Sequence, residues 1–172
     1  MTSSATDIAA WFSGRLPAEW TQQAAPEVVV DRDEITVTLM LATPALDDDA
    51  GETAQAEAIA GRAAGFRDDT RDQRISIARE AEHRFERKVA WGVSIDGQTA
   101  LFTHIAVPAM TRLRQPERLV LDTLIAAGVA KSRADALAWC VKLVGRHTDE
   151  WLTDLRRAID DVDRIRAEGP TP

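Results

Sequence analysis

Apolar positions along the chain change period several times, and each change marks an element. Ile8, Trp11 and Phe12 lie on one side of a short helix over residues 3–13, which residues 14–17 end with a glycine and a proline. Residues 28–30 and 35–41 are two β-branched runs separated by Asp31, Arg32, Asp33 and Glu34, a pattern that predicts an antiparallel hairpin. In the second run Ile35, Val37, Leu39 and Leu41 alternate with Glu34, Thr36 and Thr38, so one face is buried and the other is wet. Residues 52–64 are alanine-rich and helical; Gly61 and Gly65 weaken the end of this helix, and residues 66–88 continue as a strongly charged one, so the two can form a single kinked helix. Val89, Trp91, Val93 and Ile95 then share one strand face, Asp96 and Gly97 supply a type I′ turn, and residues 99–105 return as the partner strand.

From residue 119 the period becomes helical again. Leu121, Leu124 and Ile125 form one stripe, Gly128 stops that helix, and Ser132 is a preferred N-cap for the next, on which Leu137, Val141 and Val144 recur at helical spacing beside Cys140. The last helix covers residues 149–167, and Leu152, Leu155, Ile159 and Val162 alternate steps of three and four, a seam of two heptads that can pack inward or against its copy. The order indicates an α+β fold: two antiparallel β-hairpins with a central helix, followed by a C-terminal module of three helices. The expected division is an α+β domain over residues 1–105 and a helical module over residues 106–172, which can also pack as one domain.

The helical pair carries a resemblance. Leu121, Asp122, Leu124, Gly128, Ser132, Arg133, Ala136 and Leu137 occupy positions that resemble the ribbon-helix-helix family of DNA-binding proteins, the CopG, Arc and MetJ class. The resemblance covers about 35 residues. It implies a homodimer in which a strand just before the first helix, here residues 109–113, pairs with its twin and enters the major groove. Thr111, Arg112 and Arg114 would then face the DNA, while Ser132 and Arg133 at the start of the second helix would hold a backbone phosphate. Two other readings of the same glycine stay open: an ordinary helix-turn-helix, and a helical hairpin that only packs a domain together. The whole chain also resembles a group of uncharacterised proteins from high-GC bacteria, through Trp11 to Pro17 and Thr111 to Arg118; that likeness implies no activity.

Charge changes the picture by its distribution. The formal net charge is −7. Residues 104–147 nevertheless carry +4, against −8 before them and −3 after them. A cationic segment within an acidic chain can meet phosphate if it projects from the body, or it can dock on the chain's own carboxylates. Only three of the 21 cationic residues are lysines, and asparagine and tyrosine are absent, a codon-driven bias that takes weight from the arginine count itself.

Catalytic, metal and cofactor chemistry find no footing in the sequence. Glu80 and His83 have the spacing of half a carboxylate-bridged metal pair, yet no second Glu-x-x-His exists. Asp47, Asp48 and Asp49 lack the spaced ligands of a calcium loop and read as a solvated turn. Arg67, Arg71 and Arg74 could line one phosphate-facing side, or be a solvated face neutralised by Asp68, Asp69, Asp72 and Glu80. The single cysteine, Cys140, sits on an apolar face and reads as an inert thiol in a reducing cytoplasm. No apolar run suits a membrane span or a signal peptide. No cofactor is expected. Two functions remain: a homodimeric regulator bound to duplex DNA, and a non-catalytic interaction or scaffolding domain whose protein partner meets the C-terminal helix.

Overall fold

Alternation in the strands and the turn residues between them build the sheet. The computed structural model describes residues 4–46 and 51–169; the acidic tip at Asp47, Asp48 and Asp49 lies outside these. The chain divides into two compact units, Met1–Pro108 and Ala109–Pro172. The first contains α1 (Ala5–Arg15), a 3-10 turn (Ala18–Trp20), β1 (Glu27–Val30), β2 (Glu34–Met40), α2 (Glu52–Asp69), α3 (Arg71–Phe85), β3 (Lys88–Ile95) and β4 (Gln98–Leu101).

Both expected hairpins are present. Asp31 closes the first by accepting from the backbone N–H groups of Asp33 and Glu34. Asp96 and Gly97, both at positive φ, close the second. The sheet order is β1-β2-β3-β4, and the two hairpins join through a parallel pairing of β2 with β3. The sheet is therefore mixed, where two hairpins alone suggested an antiparallel one. The reason is the connection: a helical crossover between two strands returns the chain to the same end of the sheet, and only parallel pairing fits that return.

The crossover is two helices. It runs through Gly61 and Gly65 and breaks at Thr70, whose hydroxyl donates to the Phe66 carbonyl and whose backbone leaves the helical range. The glycines survive inside α2 because Ile59 and Ala63 bury its inward side. α3 stops at Phe85, with Glu86 in the left-handed conformation, so Lys88 begins a strand where a continuing helix was expected. β4 likewise ends at Leu101, well short of residue 105.

One face of the sheet carries the core. Ile35, Val37 and Leu39 of β2 and Val89, Trp91, Val93 and Ile95 of β3 pack with Ile8 and Phe12 of α1, Ile59 of α2 and Ile77 of α3. The aromatic residues near the N-terminus close its edge through T-shaped contacts: Phe12 and Trp20 both meet Trp91, and Trp11 meets Phe85. Such pairs add about 0.5–1.5 kcal/mol each beyond their buried area.

The second unit contains α4 (Gln115–Ala126), α5 (Arg133–His147) and α6 (Asp149–Glu168). Its own core is small: Leu121, Ala130 and Ala136 are buried, with Leu113, Leu124, Ile125, Leu137 and Cys140 packed beside them. Among the described residues no helix is long and apolar enough to cross a membrane.

Candidate nucleic-acid interface

Gly128 makes the turn that sets α4 against α5. It adopts φ +74°, which a residue with a Cβ rarely does, and its N–H donates to the Ile125 carbonyl while Val129 N–H reaches Leu124. The chain then enters α5 through Ser132, whose hydroxyl oxygen accepts from Asp135 N–H at 3.2 Å; the Asp135 carboxylate in turn accepts from Lys131 N–H at 2.9 Å. The first bond satisfies an orphan donor of the first turn, and the second ties the residue before Ser132 to the same turn. The Ser132 hydroxyl is thus occupied in capping, a role that the spacing alone also anticipates.

The basic residues behave differently from one another. Arg133 is exposed, yet its guanidinium is held by Asp122 of α4 in two hydrogen bonds of 2.7 Å. That hydrogen bonding, reinforced by charge attraction, raises Arg133 above its ordinary pKa and lowers Asp122 below the usual carboxylate range. Arg112 and Arg114 are exposed and enter no ion pair or side-chain hydrogen bond among the described residues. Thr111 lies exposed beside them.

Residues 109–114 form no strand in this chain. A ribbon needs a partner strand to satisfy its backbone donors and acceptors, and the unit has none to offer. Arg118 steadies the segment instead by donating to the Leu113 carbonyl at 2.7 Å. The segment and α5 border an open groove of about 350 Å³ lined by Met110, Thr111, Leu113, Arg118, Leu121 and Arg133, among others. The structure therefore brings Thr111 and Arg133 to one groove and leaves Arg112 and Arg114 on the exposed segment beside it.

Two residues had escaped the sequence reading as parts of this site. Asp122 was legible only as a motif position, because its pairing with Arg133, eleven residues later, depends on how the glycine turn sets α4 against α5. Arg118 gave no signal, because its acceptor is a backbone carbonyl.

The other candidate clusters are engaged within the fold. Arg67, Arg71 and Arg74 are not three free cations: Arg74 is buried and donates to the Thr70 hydroxyl and the Arg67 carbonyl, whereas Arg71 pairs with Asp72. Glu80 does not pair along its own helix with Arg84 but receives two bonds from Arg15 of α1, at 2.6 and 2.7 Å. Among the described residues no group of three or more His, Cys, Asp or Glu side chains is placed to hold a metal ion.

The chain is similar along most of its length to three relatives. The uncharacterized protein Mb1296 of Mycobacterium bovis is 57% identical over 166 residues, which cover 96% of this chain and 71% of the relative. The uncharacterized proteins MT1303 and Rv1265 of Mycobacterium tuberculosis match to the same extent. No solved structure matches the chain. Residues 114–166 match the family described as the Mb1296 C-terminal domain. With residues 6–101 matching the family described as Rv1265-like protein, N-terminal domain, and its mycobacterial relatives aligned over nearly its whole length, the chain belongs to the Rv1265-like family.

Proposed function

We propose that this chain is a homodimeric DNA-binding transcriptional regulator of ribbon-helix-helix-like type. The observation that carries the reading is the contrast among its arginines: Arg112 and Arg114 are exposed and unpaired among the described residues, in the stretch over residues 104–147 that carries +4, while Arg133 beside them is tied to Asp122. In a dimer the segment over residues 109–113 acquires the partner strand it lacks here, and Thr111, Arg112 and Arg114 approach base edges and phosphates. Ser132 and Arg133 then stand at the N-terminus of α5, where free amides and the helix dipole favour a phosphate.

Titration of labelled duplex DNA over a series of salt concentrations tests the reading. Binding is expected to weaken steeply with salt and to be lost in the Arg112→Ala, Arg114→Ala double variant. Failure to bind any duplex at low ionic strength rejects it. A second reading, a non-catalytic interaction or scaffolding domain, is favoured by the apolar side of α6, where Leu155, Ile159 and Val162 are exposed. It predicts a stable complex that survives moderate salt and depends on Leu155 or Ile159, with the DNA arm negative.

A further inference from the structure

α6 is a 20-residue helix that buries no residue, and it carries a continuous apolar side. Leu152, Leu155, Ile159 and Val162 take the two inward positions of successive heptads, and Arg166 takes the next. Arg156 and Asp163 follow Leu155 and Val162 and flank the seam on one side; Ala158 and Ile165 flank it on the other. Asp149 takes the same flank as Arg156 one heptad earlier, and the remaining charges sit on the outer side, where Arg157 pairs with Asp154 and Arg164 with Asp161. Arg156 enters no ion pair among the described residues, and Asp163 makes only a 3.3 Å contact with Arg166 on its own helix.

We propose that this face is covered by the same helix of a second copy, running antiparallel, with Ile159 and Val162 of each copy forming the central layers. The charges select the arrangement. In this register Arg156 of one helix faces Asp163 of the other, twice by symmetry, and Ala158 faces Ile165, the small residue making room for the large one. Shifting the antiparallel register by one heptad toward the N-terminus sets Arg156 against Arg156 and Asp149 against Asp163. A parallel pair sets Arg166 against Arg166 at the seam and offers Arg156 only Trp151 and Asp163 only Ala158. Only the first arrangement matches opposite charges and leaves no like charges facing. The Arg166 stem covers Leu155 of the other copy while its head reaches water. The pairing stands independently of DNA binding, since none of the residues proposed to meet DNA lies on α6.

Sedimentation of the full chain, combined with cross-linking, tests it. Arg156→Asp should weaken association by about tenfold, because two attractive contacts become repulsive, and Arg156→Asp with Asp163→Arg should restore it. In a Cys140→Ser background, Ala158→Cys with Ile165→Cys should give a covalent dimer on mild oxidation, and neither change alone should do so. Protein that stays monomeric at about 100 μM, roughly a hundredfold above a micromolar Kd, overturns the proposal. So does a dimer indifferent to Arg156→Asp, or a covalent dimer formed readily by Leu155→Cys alone, the mark of a parallel pair.

Discussion

The guanidinium of Arg133 and the carboxylate of Asp122 meet in a fork of two 2.7 Å hydrogen bonds across the turn between α4 and α5. The pair ties the two helices together at their surface and neutralises the arginine best placed at the α5 N-terminus. Any phosphate reaching that terminus must compete with Asp122 or be joined by it, and a carboxylate beside a phosphate repels it. Asp122→Asn removes the competitor and one negative charge while keeping the shape. It is expected to tighten duplex binding several-fold in an anisotropy titration at moderate salt, whereas Arg133→Ala should cost less than the Arg112→Ala, Arg114→Ala double change. Unchanged affinity in Asp122→Asn would separate Arg133 from the nucleic acid.

The same pair has an acid signature. Hydrogen bonding to Arg133 holds the Asp122 carboxyl below its ordinary value of 3.8. A depressed carboxylate contributes stability that is present above the unfolded value and is lost as pH falls through the folded one. The α4–α5 turn should therefore loosen only below about pH 4, near the unperturbed aspartate value. Carboxyl NMR titration should place the Asp122 midpoint under that value and return it toward normal in Arg133→Gln. Because both side chains are exposed, salt should narrow the difference.

Ser132 offers a third test. Its hydroxyl accepts from Asp135 N–H, and loss of such a cap costs about 1 kcal/mol. Ser132→Ala should lower amide protection in the first turn of α5, an effect visible by hydrogen exchange, while Ser132→Asp should preserve it. A fall in duplex binding larger than the lost protection explains would mark a direct contact with phosphate.

The hairpins were legible because their cues are local: alternation sets the buried face, and Asp31 and the Asp96-Gly97 pair shape the turns. Helical spacing and the Ser132 cap likewise placed α5 and α6. The parallel join of β2 to β3 was hidden because it depends on where a long crossover delivers the chain. The break at Thr70 was hidden because glycine looks like the weak point when tertiary packing is unseen, and Ile59 and Ala63 outweigh it. In the candidate interface the residue types could be read off, but not their state. Whether Arg133 is free or held depends on Asp122, eleven residues away.

Gly92 on β3 tests the side of the sheet away from α1, α2 and α3. A Cβ built there would lie 2.7 Å from Leu101 Cδ2 and 3.1 Å from the Ala100 carbonyl oxygen. The leucine end can swing away, but the backbone oxygen of the neighbouring strand cannot. Gly92→Ala should destabilise the first unit by about 1–3 kcal/mol, and adding Leu101→Ala should recover only part of that. Urea unfolding followed by fluorescence of the buried Trp20 and Trp91 reads both.

Arg74 is 6% exposed and pairs with no carboxylate among the described residues. Desolvation and the neighbouring charges of Arg67 and Arg71 lower its pKa. Directed contacts hold its guanidinium: Nε donates to the Thr70 hydroxyl, Nη2 to the Arg67 carbonyl, and Cζ lies 4.9 Å from the centre of the Phe102 ring. It thus fastens the break between α2 and α3 to the residue that follows β4. A lysine keeps the charge but not the fork or the flat face, so Arg74→Lys should destabilise by about 1–3 kcal/mol. Methionine fills similar space without a buried charge, and Arg74→Met should be tolerated better than Arg74→Ala, which leaves a void under Phe102. The ordering Met above Ala in urea midpoint, with Lys below wild type, is the expected result; a lysine variant as stable as wild type would show that charge alone, without directed hydrogen bonds, holds this corner.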